Sequence, residues 1–311
     1  MKEIIIVVLG LIIVVGGIYF FNQSEETYTA EEETVETTDE QPMPAEPDGG
    51  IGDGAGPVEP VLEDEEEIGQ SVTGEAIMAY HFGTGEEKVV LIGGIHGGYS
   101  WNTALLGNEL VAYFKDNADM IPNNVRLTVI PVVNPDGLAQ VTNDLYDFTS
   151  DDITASDAER VAARFNTNDV DLNRNFNCEW AETSMWQNRE VSGGNEPFSE
   201  PESRAVRDYV ESQQPTAVIA YYSAAGGVYA SNCQGGILPE TRTLMNLYAE
   251  AADYEANEEF DFYEINGDMV NWLAAIDVPA ISVLLTTHED SELSKNLRGI
   301  DAVLNYLSDN E

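Results

Sequence analysis

Short apolar runs alternate with longer amphipathic stretches along residues 77–307. Apolar and β-branched runs between turn residues predict buried strands, whereas an apolar period near 3.6 residues predicts helices. We predict strands at residues 77–82, 89–95, 125–133, 216–222 and 280–285. We predict helices at residues 102–115, 155–164, 200–212 (with Ser199 as N-cap), 241–255, 268–276 and 291–307. The alternation predicts an α/β fold, in which a single domain has a mixed, largely parallel sheet flanked by helices.

One stretch, VVLIGGIHGGYSW from Val89 to Trp101, organises the predicted domain. His96 directly follows the predicted strand, and two glycines after it let the backbone turn sharply into the next helix. Ligands of open α/β sheets bind at the C-terminal ends of the strands. A histidine here, followed closely by an acidic residue, would be half of a zinc site. No acidic residue follows His96.

Two segments precede the domain, which we place at residues 71–311. Residues 1–21 contain eighteen consecutive apolar or glycine residues, just enough to span a bilayer, and no small-x-small cleavage site follows. We predict an uncleaved membrane anchor, with a cleaved signal peptide as the alternative. Residues 22–70 are predicted to be an acidic, disordered linker. Their first 46 residues hold 17 Asp or Glu, five prolines and no Lys or Arg.

The charge of the chain bears on its partners and location. Residues 68–311 contain 39 acidic and 12 basic residues, a formal charge of −27. This excess repels phosphate groups, so nucleic acid is not an expected partner. The anchor predicts a location at the cell membrane, with the membrane as a partner and the domain extracytoplasmic. A secreted protein is the alternative.

Two cysteines, Cys178 and Cys233, lie in loop-like sequence. Outside a membrane, a single disulfide between them is the first interpretation. Two unpaired thiols are the alternative. A metal site is less favoured because no second Cys or His stands at ligand spacing.

Polar residues between the predicted strands carry candidate chemistry. The motif VDLNRNF, residues 170–176, places Asp171, Asn173 and Arg174 among apolar neighbours. A guanidinium beside an amide suits bidentate binding of a carboxylate. A structural ion pair is the alternative for this motif.

Seven motifs resemble, in order, those of zinc metallocarboxypeptidases of the carboxypeptidase A-like family. They are GGIHGGY, NPDG, RFNTNDVDLNRNF, PFSEPESRAV, YYSAAGGV, YEINGDMVNWL and ISVLLTTHED, and they cover residues 75–307. The resemblance implies a mixed eight-stranded sheet with the active site at the strand ends. It also implies zinc as the cofactor and peptide or protein C-termini as the partners. The cysteines follow two motifs that flank one cleft in this family, so their loops are expected to approach each other.

The resemblance implies a role for four positions around the metal. The first zinc histidine corresponds to His96. The zinc glutamate falls three or four positions later, at Tyr99 or Ser100, and we assign it to Ser100. The second zinc histidine corresponds to Tyr222, and the catalytic glutamate, the base that activates zinc-bound water, to Leu284. Three of the four positions therefore carry replacements.

The substrate-binding positions of the family are kept. Asn173 and Arg174 match the pair that binds the terminal carboxylate of the substrate. Arg164 matches the arginine that polarises the scissile carbonyl, and is the candidate catalytic residue that remains. Tyr263 matches the mobile tyrosine that closes over the bound residue.

Zinc chemistry needs about three protein ligands and an open water position, and His96 alone cannot supply this. His81 precedes the strand, His288 is expected to lie in a loop, and a leucine cannot accept a proton from water. We therefore predict that zinc is not bound. The first hypothesis is a catalytically dead or impaired pseudoenzyme that keeps the pocket for a peptide C-terminal carboxylate. The alternatives are an active metallocarboxypeptidase or related deacylase, and a surface structural protein with a relic pocket.

Overall fold

One mixed sheet of eight strands forms the centre of residues 64–309, the part of the protein that a computed structural model describes. The spatial order is β1-β2-β4-β3-β7-β10-β8-β9, and β5 and β6 form a separate hairpin. The strands are β1 Glu65–Gln70, β2 Ala76–Phe82, β3 Glu87–Ile92, β4 Val125–Ile130, β5 Thr183–Trp186, β6 Arg189–Ser192, β7 Ala217–Ser223, β8 Gly227–Ala230, β9 Glu255–Asn257 and β10 Ala280–Leu285. The predicted eight-stranded mixed sheet is confirmed.

The helices cover both faces of this sheet. In the described residues they are α1 Trp101–Asp116, α2 Pro135–Leu138, α3 Asp157–Ala162, α4 Pro201–Gln213, α5 Pro239–Ala252, α6 Met269–Ala275 and α7 Leu293–Asp309. Side chains alternate between the two faces of a strand, so β3 contributes to both cores. Val89 and Leu91 pack with α1, α5 and α7, whereas Val90 and Ile92 pack with α4 and α6. The strands in the middle of the sheet are consequently apolar on both faces.

The parallel strands bring the candidate residues to one edge. β4, β3, β7 and β10 run parallel as neighbours, so their C-terminal ends lie together. In this register Leu284 on β10 pairs with Tyr222 on β7. Strand β3 ends at Ile92, three residues earlier than predicted, because Gly94 adopts a φ of +66° that strand geometry does not allow. His96 therefore lies in a turn beyond the strand, just before α1.

Strand β1 lies within the stretch that the sequence assigned to the acidic linker. Its residues are mostly exposed, and it pairs antiparallel with β2 at the edge of the sheet. A strand at the edge of a sheet is paired on one side only and commonly carries charged side chains, so the glutamates of β1 can remain in water. Composition suggested disorder, but backbone pairing with β2 decides the structure here. The folded domain therefore includes residues before 71.

Other differences concern short or irregular elements. The hairpin β5–β6 and the short strands β8 and β9 were not predicted, because each has only three or four residues. The N-cap of α4 is Glu200 rather than Ser199, whose hydroxyl instead donates to a Glu200 carboxylate oxygen at 2.8 Å. Helix α5 ends at Ala252, where Asp253 takes a left-handed φ of 56°.

The predicted membrane anchor, residues 1–21, and most of the predicted linker lie outside the described residues. Between residues 64 and 309, each helix is too short or too polar to cross a bilayer.

The disulfide between Cys178 and Cys233 is confirmed, with the two Cα atoms 6.1 Å apart. It joins the loop after the VDLNRNF motif to the loop after β8. The bond therefore links two segments that are 55 residues apart in sequence.

We expect replacement of both cysteines by serine to lower the free energy of unfolding by about 4 kcal/mol, the value that the chain-entropy model gives for a loop of this length. Denaturant unfolding of the Cys178→Ser/Cys233→Ser variant and the oxidised wild type measures the difference. The reduced wild type should match the variant, which itself should not respond to reductant. An unchanged unfolding midpoint would contradict the expectation.

Candidate active site

A cavity of about 780 Å³ opens at the C-terminal edge of the parallel strands. The structure brings seven of the predicted site residues into its wall: His96, Arg164, Asn173, Arg174, Tyr222, Tyr263 and Leu284. His96 lies in the turn after β3, Asn173 and Arg174 lie in the VDLNRNF motif, and Arg164 lies nine residues before Asn173. Tyr222 and Leu284 lie at the ends of β7 and β10, and Tyr263 lies in the loop before α6. Residues far apart in sequence therefore form one site.

The imidazole of His96 is buried in this wall, with only 5% of the residue exposed. Neither ring nitrogen has a hydrogen-bond partner in the described structure, and Nε2 lies 3.9 Å from the Asp171 carboxylate. Burial, together with the charges of Arg164 and Arg174, lowers the pKa of His96 well below its usual value. The ring is therefore neutral at physiological pH and has unused hydrogen-bonding capacity.

Tyr99, rather than Ser100, lies at the cavity near His96. Ser100 is fully buried outside the cavity wall, so our assignment of the lost zinc glutamate to Ser100 is corrected to Tyr99. The physical reason is the one turn of 3₁₀ helix over Gly97–Ser100, which directs position 99 outward and position 100 into the protein. The Tyr99 ring makes edge contacts with Trp186 at 4.8 Å and His288 at 4.6 Å between ring centroids.

Tyr222 and Leu284 stand side by side at the other predicted metal and catalytic positions. The Tyr222 hydroxyl donates to Oδ1 of Asn173 at 3.3 Å. Burial and the nearby Asp268 carboxylate raise the pKa of Tyr222 well above its usual value, so the phenolate that a metal would need is disfavoured. Leu284 is buried and carries no proton acceptor.

These side chains do not fit a catalytic zinc. The groups that face His96 are a protonated phenol, aromatic rings and the Asp171 carboxylate, which Arg164 and the backbone N–H of Asn173 already bind, whereas zinc needs about three imidazole, thiolate or carboxylate ligands that are free to coordinate it. Within residues 64–309, no group of three or more His, Cys, Asp or Glu side chains could hold a metal ion.

His288 lies in the cavity wall as well as in a loop, and it approaches a serine. Its Nδ1 is 3.0 Å from Oγ of Ser223. Both amide hydrogens of Asn102 donate to the backbone carbonyls of Thr287 and Asp290, so Oδ1 of Asn102 is fixed as the acceptor for the Ser223 hydroxyl, 3.0 Å away. The serine proton is therefore not directed at the histidine, and the pair lacks the geometry of an activated nucleophile.

Arg164 is held in a buried ion pair. Its Nε and Nη2 both lie 2.9 Å from Oδ2 of Asp171, and the Asp171 side chain is fully buried. The guanidinium also lies over the rings of Trp186, at 4.3 Å, and Tyr99, at 5.5 Å. Arg164 is thus bound by the protein itself, through a carboxylate of the VDLNRNF motif.

Arg174, by contrast, forms no ion pair among the described residues. Nε and Nη2 donate to the carbonyl of Met185 at 3.3 and 3.1 Å, and Nη1 donates to the carbonyl of Asn173 at 2.7 Å. A guanidinium has five N–H donors, so two remain for a ligand. Only 2% of Arg174 is exposed. It is a buried cation in a cavity wall, bound only by neutral groups.

Asn173 and Tyr263 lie beside Arg174. The amide of Asn173 donates to Asp268 at 2.8 Å, and its Oδ1 also accepts from the backbone N–H of Met269. The centroid of the Tyr263 ring lies 5.9 Å from Arg174 Cζ. Gly267 makes this arrangement possible, because a Cβ there would lie 2.2 Å from the Arg174 carbonyl oxygen.

Trp186, Asp268 and His288 are among the cavity-wall residues that sequence reasoning did not assign to the site. Trp186 lies in the unpredicted hairpin, so no signal placed it. Asp268 could have been found as an N-cap, since it precedes an apolar helix and accepts from the Asn271 N–H. Burial raises the pKa of this carboxyl, whose oxygens are already used by Asn173 and α6.

Comparisons with known proteins agree with this fold. The family model described as zinc carboxypeptidase matches residues 59–275. Carboxypeptidase B of Astacus astacus is 31% identical over 159 residues, which cover 49% of this chain and 50% of the relative. Gamma-D-glutamyl-L-diamino acid endopeptidase 1 of Lysinibacillus sphaericus is 24% identical over 218 residues, which cover 63% and 54%. The chain thus spans about half the length of these relatives.

Two solved structures share the fold. Bovine thrombin-activatable fibrinolysis inhibitor, in complex with tick carboxypeptidase inhibitor, has a TM-score of 0.64 and 16% identity, covering 81% of this chain and 92% of that one. Murein-tripeptide amidase of Escherichia coli O157 has a TM-score of 0.54 and 19% identity, covering 79% and 92%.

The ion pair of Arg164 generates a prediction about stability. Arg164→Met keeps an apolar chain against Trp186 but leaves Asp171 buried without its cation, which typically costs about 3–5 kcal/mol. Denaturant unfolding measures this loss. Arg160→Met is the matched control, because Arg160 pairs with the exposed carboxylates of Asp157 and Glu289 and its loss should cost about 1 kcal/mol or less. Equal losses in the two variants would contradict the assignment.

Proposed function

Because this chain belongs to the zinc carboxypeptidase family, we propose that it binds the C-terminal carboxylate of peptides without hydrolysing them. The chain keeps the family's residue types at the carboxylate-binding positions, Asn173 and Arg174. It has lost them at three of the four positions that hold and use the metal. Binding and catalysis depend on different side chains, so the first can persist without the second.

The observation that carries this proposal is the environment of Arg174. An ionised group removed from water is costly unless it is paired. Arg174 is buried in the cavity wall, and the described residues give it backbone carbonyls but no carboxylate. Asp268, an acidic neighbour, already accepts from Asn173 and the N-terminus of α6. A ligand carboxylate would complete the site through the two remaining N–H donors, with the Tyr263 ring beside it.

Arg164 has a different place in this proposal. The resemblance assigned it to the scissile carbonyl, but its guanidinium is bound to Asp171 between two aromatic rings. We assign it to positioning the wall of the cavity, where it keeps the Asp171 carboxylate paired.

Hydrolysis lacks both of the groups that the family uses. The side chain of Leu284 cannot take a proton from water, and the groups around His96 do not suit zinc. An active enzyme with unorthodox ligands would still need a bound metal. Metal content therefore separates that alternative from the proposal.

The location is part of the proposal. We place the domain outside the cytoplasmic membrane, held by an uncleaved anchor at residues 1–21 and separated from it by the acidic linker. A secreted form is the alternative. The disulfide supports this location, since such bonds persist in oxidising compartments.

We expect the purified protein to contain well under one zinc per chain, because one histidine does not make a zinc site. Elemental analysis after dialysis against zinc-containing buffer, followed by removal of free metal, measures it. The Tyr99→Glu/Tyr222→His variant restores the family's ligand types at the two cavity positions and should retain more zinc. A full equivalent of zinc on the wild type would contradict the proposal.

Binding itself is tested with a panel of short peptides in free-acid and amidated forms. Two similar proteins are named a gamma-D-glutamyl-L-diamino acid endopeptidase and a murein-tripeptide amidase, so the panel includes gamma-D-glutamyl-L-diamino acid peptides and the murein tripeptide beside ordinary peptides. We expect amidation of a bound peptide to cost about 2–5 kcal/mol, and Arg174→Met to cost a similar amount. The losses should not add, because both remove the same contact.

Isothermal titration calorimetry on the four combinations of protein and peptide measures this coupling. Arg298→Met is the control, because Arg298 is an exposed arginine of α7 that does not line the cavity. Additive losses, or no binding of any free-acid peptide to the wild type, would contradict the proposal that the cavity binds a peptide C-terminal carboxylate at Arg174.

A further inference from the structure

The two ends of the cavity differ in their charged groups. Its buried wall contains Arg164, which Asp171 neutralises, Arg174, which has no ion-pair partner among the described residues, and the Asp268 carboxyl, which accepts from Asn173 and from the backbone N–H of Asn271. Three exposed glutamates, Glu179, Glu259 and Glu264, line the same cavity at its mouth. A ligand that enters therefore meets exposed carboxylates first and the buried guanidinium of Arg174 last.

The glutamates at the mouth are available for a ligand. A fourth cavity-lining glutamate, Glu258, is bound to Arg242, with Oε1 2.7 Å from Nε. Glu179, Glu259 and Glu264 form no ion pair with any residue between 64 and 309. They come from two segments, one beside the disulfide at Cys178 and one around Tyr263.

An exposed aromatic ring accompanies these carboxylates. Phe262 is 63% exposed and lines the cavity, between Glu259 and Glu264 in sequence. A lysine or arginine side chain suits such a surface, since its aliphatic stem packs on a ring while its charged end reaches a carboxylate. An acidic ligand segment would be repelled at the same place.

The interior gives independent evidence that the cavity takes a ligand. His96 is 5% exposed and lines the cavity, and neither of its ring nitrogens has a hydrogen-bond partner. Buried polar atoms in native proteins are nearly always satisfied, so an unpartnered imidazole beside an unpaired guanidinium indicates a missing polar partner.

From this arrangement we infer the class of ligand, which rests on the proposed function. The ligand is a peptide whose terminal carboxylate lies at Arg174 and whose preceding residues, at the mouth, are lysine or arginine. The exposed carboxylates favour such peptides mainly through electrostatic attraction, which is screened by salt.

The test compares two acetylated pentapeptides that share their last residue, chosen as the best binder of the free-acid panel. One carries two lysines before that residue and the other carries two glutamates. At low ionic strength we expect the lysine peptide to bind about 10-fold more tightly, as three exposed charge contacts would provide. This preference should shrink toward 2-fold near 0.5 M salt.

Two triple variants localise the effect. Glu179→Gln/Glu259→Gln/Glu264→Gln should reduce the preference to about 2-fold at low salt. The matched control, Glu86→Gln/Glu211→Gln/Glu250→Gln, removes the same charge from exposed positions outside the cavity and should keep it. Amidated forms of both peptides report on the carboxylate contact alone.

The outcomes separate this inference from the proposed function. Equal binding of the two free-acid peptides, with amidation still harmful, would overturn the inference and leave the proposed function standing. A preference that persists in the first triple variant, or disappears in the control, would overturn the assignment to the mouth. If no free-acid peptide binds, both fail.

Discussion

The buried carboxylate of Asp171 connects the two halves of the site. One oxygen accepts from the Arg164 guanidinium, and the other accepts from the backbone N–H of Asn173 and faces the ring of His96. Its own backbone N–H donates to the carbonyl of Ser192 in the β5–β6 hairpin. One fully buried charge thus fixes the turn that carries Asn173 and Arg174, and also connects it to the turn after β3. Removing its cation would affect the whole wall, because a buried carboxylate cannot be left unpaired.

The replacements around His96 form a consistent set. Tyr99 packs against Trp186 and His288 and lies over Arg164, and the Tyr222 hydroxyl binds Asn173. Each tyrosine makes contacts with residues that themselves hold the cavity wall. The wall of the cavity is therefore held by packing, by hydrogen bonds and by the Arg164–Asp171 ion pair. The proposed binding at Arg174 therefore depends on side chains other than the ones that have replaced the zinc ligands.

Much of the fold was predictable because its signals are local. The apolar runs of β3, β7 and β10 and the amphipathic period of α7 identify elements directly, and their alternation predicts the sheet. The motifs then placed His96, Arg174, Tyr222 and Leu284 at one edge. The elements that escaped were short, such as β5 and β9, or depended on a partner strand, as β1 does. Edge strands and hairpins of a few residues are too short for the periodicity of their apolar and polar residues to identify them.

The sequence by itself determined which residue types stand at each position of the site, including the leucine at 284 and the two tyrosines near His96. It could not determine which of the two arginines, Arg164 or Arg174, forms an ion pair within the protein. Arg164 and Arg174 lie ten residues apart in one motif region, and both are almost fully buried. Only the tertiary structure shows that Arg164 pairs with the Asp171 carboxylate, whereas Arg174 donates to backbone carbonyls. It also places Tyr99 rather than Ser100 in the cavity wall. The reason is that ion pairing and side-chain direction depend on atoms brought together by folding, which spacing along the chain does not specify.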